Sequence, residues 1–312
     1  MDDNFLKTFK QYRTKIDKEI AIFFDKEIKK SKTQFFTETL KTLKEYSLRP
    51  AKRIRATLIN QGYFLALGKN KTEILKTSIF IELIHNFLLI QDDILDKDKI
   101  RRGGASLHFY YQNKLLDHTD KTEMHYGISM SIIAGDIMES LGRQILLQSK
   151  MPETNKICAV KKLDEVLSTT YYGEMFEFWL RENKLTTKIQ EKDILDIYKT
   201  KTAFYTFTGP LQMGALLAGG DKELLLLLEK IGTCLGIVLQ IKDDIEDFPG
   251  EKKQLKNHPQ PTLLVIKNFE ECENLCSQLI NKSKTYINTL NCPDENKIFL
   301  RNLADYIVNM NK

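Results

Sequence analysis

The chain has 312 residues, of which 42% are hydrophobic, so it can bury a large core as one big domain or as two of ordinary size. Its formal net charge of +5 is too small and too dispersed to indicate a nucleic-acid partner, and it is compatible with a small anionic substrate. Glycine (15 residues) and proline (7 residues) are sparse, and the abundance of Leu, Ile, Lys and Glu favours helices.

The cysteines and the chain start predict where the protein resides. The 5 cysteines are odd in number and widely scattered, and the start Met1-Asp2-Asp3-Asn4 shows no signal peptide. This pattern indicates reduced thiols and a cytoplasmic protein. No apolar run approaches the roughly 20 residues that cross a bilayer, so the protein is expected not to span a membrane. No linker separates two parts, and we expect a single domain over residues 1–312.

The first part of the chain combines a helical pattern with a basic segment. Apolar residues recur at steps of three and four from about Phe5 to Leu43, which predicts amphipathic helix. In the segment that follows, Pro50 is well placed to start a helix, and Lys52 and Arg55 would then lie on one face. These two cations are either part of a solvated basic turn or part of a functional site.

The next predicted helix runs from Ile74 to Asp96 and is almost entirely apolar until it ends in an aspartate cluster. On a helix, Asp92 and Asp96 stand one turn apart on the same face. Because like charges repel at that distance, the arrangement favours a bound cation between them. His85 lies two turns before Asp92 and nearly on its face, where it is either a satisfied core histidine or a functional residue.

The second half of the chain repeats this pattern. Helices are predicted from Leu163 to Leu180 and from about Asp193 to a break at Gly209-Pro210. An apolar helix that starts at Leu224 then ends in a second cluster, Gln240-Ile241-Lys242-Asp243-Asp244-Ile245-Glu246-Asp247. The charged, proline-flanked segment from Pro249 to Pro261 is expected to form a mobile loop beside that cluster.

Two carboxylate clusters at the polar ends of apolar helices predict a metal-dependent site. If the helices pack side by side, the clusters face each other across the mouth of an apolar cavity. Oxygen ligands of this kind suit Mg²⁺, which is usually held by one or two carboxylates together with substrate phosphates. A diphosphate would account for the surplus cationic side chains, which are Lys52, Arg55, Arg101, Arg102 and Lys201.

The predicted substrate therefore has a diphosphate head and a hydrocarbon tail. Cleavage of its carbon–oxygen bond would leave a carbocation and a highly charged leaving group. A site for this reaction must stabilise that charge and exclude water. Magnesium suits the first task, and apolar walls suit the second.

Four motifs follow one another in the order of a known enzyme family. They are Lys52-Arg53-Ile54-Arg55, Asp92-Asp93-Ile94-Leu95-Asp96 with Arg101-Arg102-Gly103 after it, Lys201-Thr202-Ala203, and the second cluster Gln240 to Asp247. From about Leu48 to Ile266 the chain resembles the trans-prenyltransferases, which are all-helical isoprenyl diphosphate synthases. The resemblance implies a single large helical bundle with a central substrate cavity, Mg²⁺ as cofactor and a homodimer. It also implies head-to-tail condensation of isopentenyl diphosphate with an allylic diphosphate.

The resemblance further assigns the site residues. Isopentenyl diphosphate would be bound by Lys52, Arg55, His85 and Arg102. The magnesium ions would be bound by Asp92, Asp96 and Asp243, with Asp247 acting through metal-bound water. Arg101 and Lys201 would contact the allylic diphosphate, and Thr202 and Gln240 would lie beside the developing cation. The released diphosphate would take the final proton, so no side-chain base is expected.

Two departures from the family pattern affect the site. Glycines usually precede the first basic motif, whereas this chain has Arg49-Pro50-Ala51. Many relatives have a Gly-Lys pair before a threonine, whereas this chain reads Pro259-Gln260-Pro261-Thr262. The lysine that would reach the allylic diphosphate is therefore missing near Gln260, and the candidates to replace it are Lys252, Lys253 and Lys256.

The residues that precede the first motif predict the product length. In this family the positions four and five before the first aspartate often form the floor of the chain pocket, and here they are Leu88 and Phe87. A helical wheel favours Leu88, whereas the resemblance to archaeal geranylgeranyl diphosphate synthases favours Phe87. We therefore expect mainly a C20 product, with a C15 product next.

Two other functions fit the same motifs. A terpene cyclase shares the fold and the aspartate motif but ionises one substrate, and Lys52, Arg55 and His85 argue against it because they would form a second diphosphate site. A non-catalytic partner subunit would keep the fold and modulate another synthase. The completeness of both aspartate clusters argues against that alternative.

Overall fold

Helices dominate the computed structural model, which describes residues 3–114, 120–185, 188–247 and 261–309. The α-helices are α1 Asp3–Lys30, α2 Gln34–Leu48, α3 Ile54–Leu65, α4 Lys71–Ser78, α5 Phe80–Asp96, α6 Leu107–Gln112, α7 Asp120–Leu147, α8 Glu153–Glu182, α9 Glu191–Ile197, α10 Gly209–Leu217, α11 Lys222–Glu246, α12 Phe269–Thr289 and α13 Asp294–Val308. A π-helix, Tyr198–Thr208, lies between α9 and α10, and a 3₁₀ turn spans Leu263–Val265. Strands β1 Ile100–Arg101 and β2 Gly104–Ala105 form an antiparallel hairpin. The predicted all-α class is confirmed.

The chain divides into two compact units, each with one aspartate cluster. The first-motif unit contains Phe9–Thr57 and Asn70–Lys150, and the second-motif unit contains Met1–Thr8, Leu58–Lys69 and Met151–Lys312. The expectation of a single domain over the whole chain stays a prediction.

Helix α5 is central to the first-motif unit. It packs against α2, α4, α6 and α7, and its residues Phe80, Ile81 and Ile84 are fully buried. At its end Lys97 adopts a left-handed conformation, and its backbone N–H donates to the carbonyl of Asp93. This C-terminal cap turns the chain into the β1–β2 hairpin, so the aspartates and the arginines of the first motif lie on consecutive elements.

The N-terminal half differs from the sequence expectation in three places, the first of which is the predicted helix from Ile74 to Asp96, divided at Ile79 into α4 and α5. The amphipathic stretch is two helices, because Thr33 ends the turn after α1 and caps α2 by accepting the backbone N–H of Phe36 at 3.2 Å. Pro50 does not start a helix, since α3 begins only at Ile54. The reason is Arg53, whose backbone is left-handed (φ 55°) and whose guanidinium donates to Asp17 at 2.7 Å.

Helix α11 is central to the second-motif unit and packs against the π-helix, α10, α12 and α13. Gly232 and Gly236 allow the close approach. A Cβ atom at Gly236 would lie 2.2 Å from Cα of Ala203, and one at Gly232 would lie 2.6 Å from the backbone nitrogen of Thr208. The next positions on the same face, at steps of four, are Gln240 and Asp244. The glycines therefore bring the second motif against the π-helix.

The same helix corrects one expectation about membranes. Within the described residues α11 is long and apolar enough, by length and composition, to cross a bilayer, so the statement that no apolar run approaches that length was wrong. Half of its apolar window is buried inside the protein. A run of leucines on a helix that packs against four others is typical of a core helix as well as of a membrane span.

Candidate active site

The three aspartates of the first motif have different environments. Asp92 is half-buried, Asp96 is exposed, and Asp93 is fully buried. As the spacing predicted, Asp92 and Asp96 lie one turn apart at the end of α5, on the side that is not packed into the core. The carboxylate of Asp93, in contrast, points into the protein and is bound by other side chains there.

Asp93 is held by a tyrosine and an arginine. The hydroxyl of Tyr46 donates to it at 3.1 Å, and Nε of Arg101 donates to it at 2.5 Å. Arg101 also donates to Asp92 at 3.2 Å and to Asp98 at 3.1 Å. Burial raises the pKa of Asp93, although Arg101 and Tyr46 both favour its ionised form. Arg101, assigned to the allylic diphosphate by resemblance, is thus bound to three aspartates of its own unit.

Two of the cations assigned to isopentenyl diphosphate, Arg55 and Arg102, form a cluster around His85. Nη1 of Arg55 lies 3.2 Å from Nε2 of His85. Burial, together with the charges of Arg55 and Arg102, holds the pKa of His85 well below 6.5, so the ring is neutral at pH 7. Because a guanidinium only donates, Nε2 accepts and the ring proton is assigned to Nδ1. Lys52 is exposed in the segment just before α3.

Arg102 carries a buried donor in this cluster that no described residue satisfies. Burial, followed by the charge of Arg53, lowers the pKa of Arg102. Its Nη1 is buried without a hydrogen-bond partner among the described residues. Of the nearby carboxylates, Glu82 pairs with Arg53 at 3.3 Å. A buried donor on a cationic group, left without an acceptor, is a natural place for an anion.

The sequence analysis gave no role to Arg49, which fixes the hairpin that carries Arg101 and Arg102. Its Nη1 donates to the carbonyls of Arg101 at 3.1 Å and of Ala105 at 2.9 Å. Its guanidinium also pairs with Glu45 at 2.8 Å and lies 4.9 Å from the ring centre of Tyr46. A Cβ atom at position 104 would lie 2.6 Å from this guanidinium, so a larger residue there would displace it. The Glu45-to-Arg49 spacing was the available signal, and it indicated only a surface pair.

The second motif divides its aspartates in the same way. Asp243 is half-buried and Asp247 is exposed. Asp244 accepts hydrogen bonds from Tyr198, from Thr262 at 2.6 Å and from Gln240 at 2.8 Å. Burial raises the pKa of Asp244, against the effect of these three donors. Asp244 is half-buried, unlike the fully buried Asp93, but its carboxylate is likewise bound by side chains of its own unit.

Gln240 connects the motif to the π-helix. The hydroxyl of Thr202 donates to Oε1 of Gln240 at 2.6 Å, and Nε2 of Gln240 donates to Asp244. The structure therefore brings together Thr202 and Gln240, which the sequence analysis assigned to the same region. π-Helical segments in proteins are often found at functional sites. The change to α-helical winding at Gly209 lies next to the break predicted at Gly209-Pro210.

Lys201, on the same π-helix, is bound by two carboxylates of α8. Its Nζ lies 3.1 Å from Glu174 and 2.8 Å from Glu177. Gly173 allows this contact, because a Cβ atom there would lie 2.5 Å from Oγ1 of Thr200. The sequence analysis did not give Glu174 and Glu177 a role, although their three-residue spacing on a helix was visible. Their partner is distant in sequence, and no local pattern identifies it.

These two sites agree with one known protein family. The family model described as polyprenyl synthetase matches residues 37–290, a range that includes both aspartate motifs. The chain belongs to the polyprenyl synthetase family. This match confirms the resemblance to trans-isoprenyl diphosphate synthases.

Individual members of the polyprenyl synthetase family extend the comparison. The chain is 31% identical over 212 residues to a geranylgeranyl pyrophosphate synthase of Geoglobus acetivorans, which covers 66% of this chain and 60% of that protein, less than two thirds of its length. It is 28% identical over 265 residues to a farnesyl diphosphate synthase of Buchnera aphidicola, which covers 80% of this chain and 86% of that protein.

A solved structure gives the same fold. The geranylgeranyl pyrophosphate synthase of Corynebacterium glutamicum, complexed with isoprenyl diphosphate and magnesium, superposes with a TM-score of 0.82 at 21% identity. The superposition covers 96% of this chain and 98% of that one. At this identity the likeness establishes the fold of the polyprenyl synthetase family, and it assigns no ligand to this chain.

The residues that a polyprenyl synthetase would use for magnesium have suitable chemistry. In the described residues no three acidic, His or Cys side chains form a ready-made ligand set. Magnesium binds through one or two carboxylates and substrate phosphates, so a complete protein cage is not required. Asp92 with Asp96, and Asp243 with Asp247, each offer two carboxylates at the solvent-facing end of a helix. The donor sets therefore fit.

The two candidate chain-length residues have different surroundings. Phe87 is buried in the first-motif unit, and a Cβ atom added at Gly135 of α7 would lie 3.2 Å from its ring. Leu88 is only half-buried, on the face that carries His85 and Asp92. The candidate loop lysines Lys252, Lys253 and Lys256, together with Gln260 and most of the loop expected from Pro249 to Pro261, lie outside the described residues.

Proposed function

We propose that this protein catalyses the Mg²⁺-dependent head-to-tail condensation of isopentenyl diphosphate with an allylic diphosphate. The carbon–oxygen bond of the allylic diphosphate breaks, a new carbon–carbon bond forms, and a proton and diphosphate leave. The observation that carries the proposal is the cationic cluster of Arg55, His85 and Arg102, in which a buried Nη1 of Arg102 has no partner among the described residues. A terpene cyclase, which ionises one diphosphate, has no need of such a cluster.

The residues of this chain have the following proposed roles. Bound magnesium, held by the pairs Asp92 with Asp96 and Asp243 with Asp247, would supply positive charge that stabilises the departing diphosphate. The diphosphate of isopentenyl diphosphate would be bound by Lys52, Arg55, His85 and Arg102. Arg101 and Lys201 would bind the allylic diphosphate, for which each must exchange a carboxylate contact for a phosphate contact. The hydroxyl of Thr202 and the amide of Gln240 would direct their dipoles to the developing cation.

The neutral state of His85 supports its assigned role. Because Nε2 accepts from Arg55, the Nδ1–H group is the donor available for a phosphate oxygen. A neutral donor adds no further positive charge to a cluster that already contains Arg55 and Arg102. It therefore orients the diphosphate without increasing the mutual repulsion of its binding groups.

The reaction is tested by incubating the purified protein with labelled isopentenyl diphosphate, magnesium and C5, C10 or C15 allylic primers. Chromatography should show labelled chains that are longer than the primer. An absence of incorporation with every primer would favour a cyclase, and activity only after a second synthase chain is added would favour a partner subunit. Arg102→Gln should raise KM for isopentenyl diphosphate at least about tenfold and leave KM for the primer nearly unchanged.

The main product is proposed to be C20 geranylgeranyl diphosphate, with C15 farnesyl diphosphate as the alternative. Relatives with both names occur among the similar proteins, and a large buried side chain at Phe87 supports a closed pocket floor. Phe87→Ala should lengthen the product by one or more isoprene units. Leu88→Ala is the matched control, and a longer product from it alone would transfer the role to Leu88.

Quaternary structure and location complete the proposal. We infer a homodimer in the cytoplasm that does not span a membrane. One face of α8 supports self-association because it exposes a row of large apolar side chains at helical spacing, which are Tyr171, Tyr172, Met175, Phe176 and Trp179. Light scattering should give twice the chain mass, and Tyr172→Glu with Met175→Glu should give the chain mass.

A further inference from the structure

The first turn of α2, directly after the turn that joins it to α1, exposes two adjacent phenylalanines. Phe35 and Phe36 are 62% and 56% exposed, and their ring centres lie 6.0 Å apart in an edge-on arrangement. The turn is well ordered by its own hydrogen bonds. Thr33 caps α2 by accepting the N–H of Phe36, and the hydroxyl of Thr37 donates to that of Ser31 at 3.1 Å. The two rings are therefore presented to solvent from the fixed first turn of a helix.

Lysines precede these rings at high density. Lys26, Lys29, Lys30 and Lys32 fall within seven consecutive residues. Lys30 is paired with Glu27 at 2.6 Å. The other three are exposed, and in the described part of the chain none of them pairs with a carboxylate. The segment therefore combines uncompensated positive charge with exposed aromatic surface.

The combination extends along α1. Ile22 is 49% exposed and lies one turn before Lys26, on the face that continues to Lys29. Exposed apolar side chains, Ile22 at one end and Phe35 and Phe36 at the other, thus flank the lysines, with Asp25 and Glu27 also in this segment. We call residues 22–36 the basic aromatic turn.

We propose that the basic aromatic turn docks this protein on an anionic lipid surface. Lysines near such a surface are attracted by its negative potential, and apolar rings beside them enter the boundary between headgroups and acyl chains. Two rings bury too little area for a stable protein–protein interface, which needs about 800 Å² from each partner. A lipid surface accepts shallow insertion of a few side chains. This docking is independent of the proposed reaction.

The experiment measures co-sedimentation of the full-length protein with vesicles. Vesicles of phosphatidylcholine alone are compared with vesicles that contain phosphatidylcholine and phosphatidylglycerol at about three to one, at low and at physiological salt. The first variant is Phe35→Ser with Phe36→Ser, and the second is Lys26→Gln with Lys29→Gln and Lys32→Gln. The matched control, Lys222→Gln with Leu226→Ser, removes an exposed lysine and an exposed leucine that lie one turn apart on α11.

The unchanged protein and the control should bind the anionic vesicles and release them as salt is raised. The phenylalanine variant should lose at least about tenfold in binding. The lysine variant should lose about a hundredfold at low salt, together with most of the salt dependence. Equal binding to neutral and anionic vesicles, or equal binding by all the variants, would overturn the proposal. So would a halved mass of the phenylalanine variant in light scattering, because the rings would then belong to a contact with a second copy.

Discussion

In both aspartate motifs the second aspartate points into the protein and accepts a hydrogen bond from a tyrosine, but the remaining partners differ. Asp93 has a charged partner, Arg101. Among the described residues, Asp244 accepts hydrogen bonds from neutral donors alone, which are Tyr198, Thr262 and Gln240. Lys242, two residues before Asp244, pairs instead with Glu273 at 2.6 Å.

The difference shows that one arrangement of carboxylates can be built with two kinds of electrostatics. In the first motif the positive charge that compensates the buried Asp93 is the guanidinium of Arg101. In the second motif the neutral donors Thr262 and Gln240 stabilise the carboxylate of Asp244 through their dipoles. The cationic Lys201 is bound instead by Glu174 and Glu177. Among the described residues, Asp93 thus depends on one cationic side chain, whereas Asp244 depends on several neutral donors.

The largest expected effect on activity comes from substitution of the outer aspartates, Asp92 and Asp243. Asp92→Asn and Asp243→Asn should each lower kcat by about a thousandfold, because each removes a carboxylate proposed to hold the metal that stabilises the leaving group. Steady-state assays over a range of magnesium concentrations measure this effect. A loss confined to one of the two variants would mean that the motifs are not functionally equivalent.

Removal of Arg101, the charged partner of Asp93, should cause the largest loss of stability. Arg101→Met leaves Asp93 buried with Tyr46 as its donor among the described residues, and the free energy of unfolding should fall by about 3 kcal/mol. Urea unfolding of the variant measures this change. Arg101→Met combined with Asp93→Asn should regain much of the loss. Lys242→Met is the matched change in the other unit, and it should cost under about 1 kcal/mol since Glu273 is half exposed.

Substitution of the two tyrosines should give the opposite order, with the larger loss of stability in the second-motif unit. Tyr198 donates to Asp244 and also accepts the buried N–H of Leu263 at 2.9 Å, so Tyr198→Phe should cost about 2 kcal/mol. Tyr46→Phe should cost only about 1 kcal/mol, since Arg101 still compensates Asp93. Equal losses in urea unfolding would mean that the charged partner adds nothing to the compensation of Asp93.

The smallest effect is a pH dependence in the first-motif unit. The pKa of His85 is held below 6.5 by burial and by Arg55, so near pH 6 the unfolded chain binds a proton that the folded chain does not. The stability associated with neutral His85 is present above pH 6.5 and is lost as the pH falls below it. His85→Gln should therefore flatten the fall in Tm between about pH 7.5 and about pH 5.5.

His108 provides the control for this measurement. Its pKa is also lowered by burial, but the charge of Asp98 acts in the opposite direction. His108→Gln should therefore change the pH dependence of Tm less than His85→Gln. A larger change from His108→Gln would remove His85 as the main acid-sensitive group.

Local periodicity was enough to predict the helices and the one-turn spacing of Asp92 and Asp96, because both depend on residues close in sequence. The internal role of Asp93 could not be predicted, since Tyr46 and Arg101 reach it from other elements. The same holds for Arg49, whose hairpin partners lie about fifty residues away. The false helix start at Pro50 has a similar cause: tertiary bonds of Arg53 override a favourable local signal.

Helix α11 carries a further consequence for mutational tolerance. Its leucine-rich sequence gives the impression of a helix in which most apolar replacements are acceptable, and Leu226 on its exposed face fits that description. At Gly232 and Gly236 even one added carbon would collide with the backbone of the π-helix. In a saturation screen the most restricted positions of this helix would therefore be the two that have no side chain, and repacking there would displace Gln240 one turn further along.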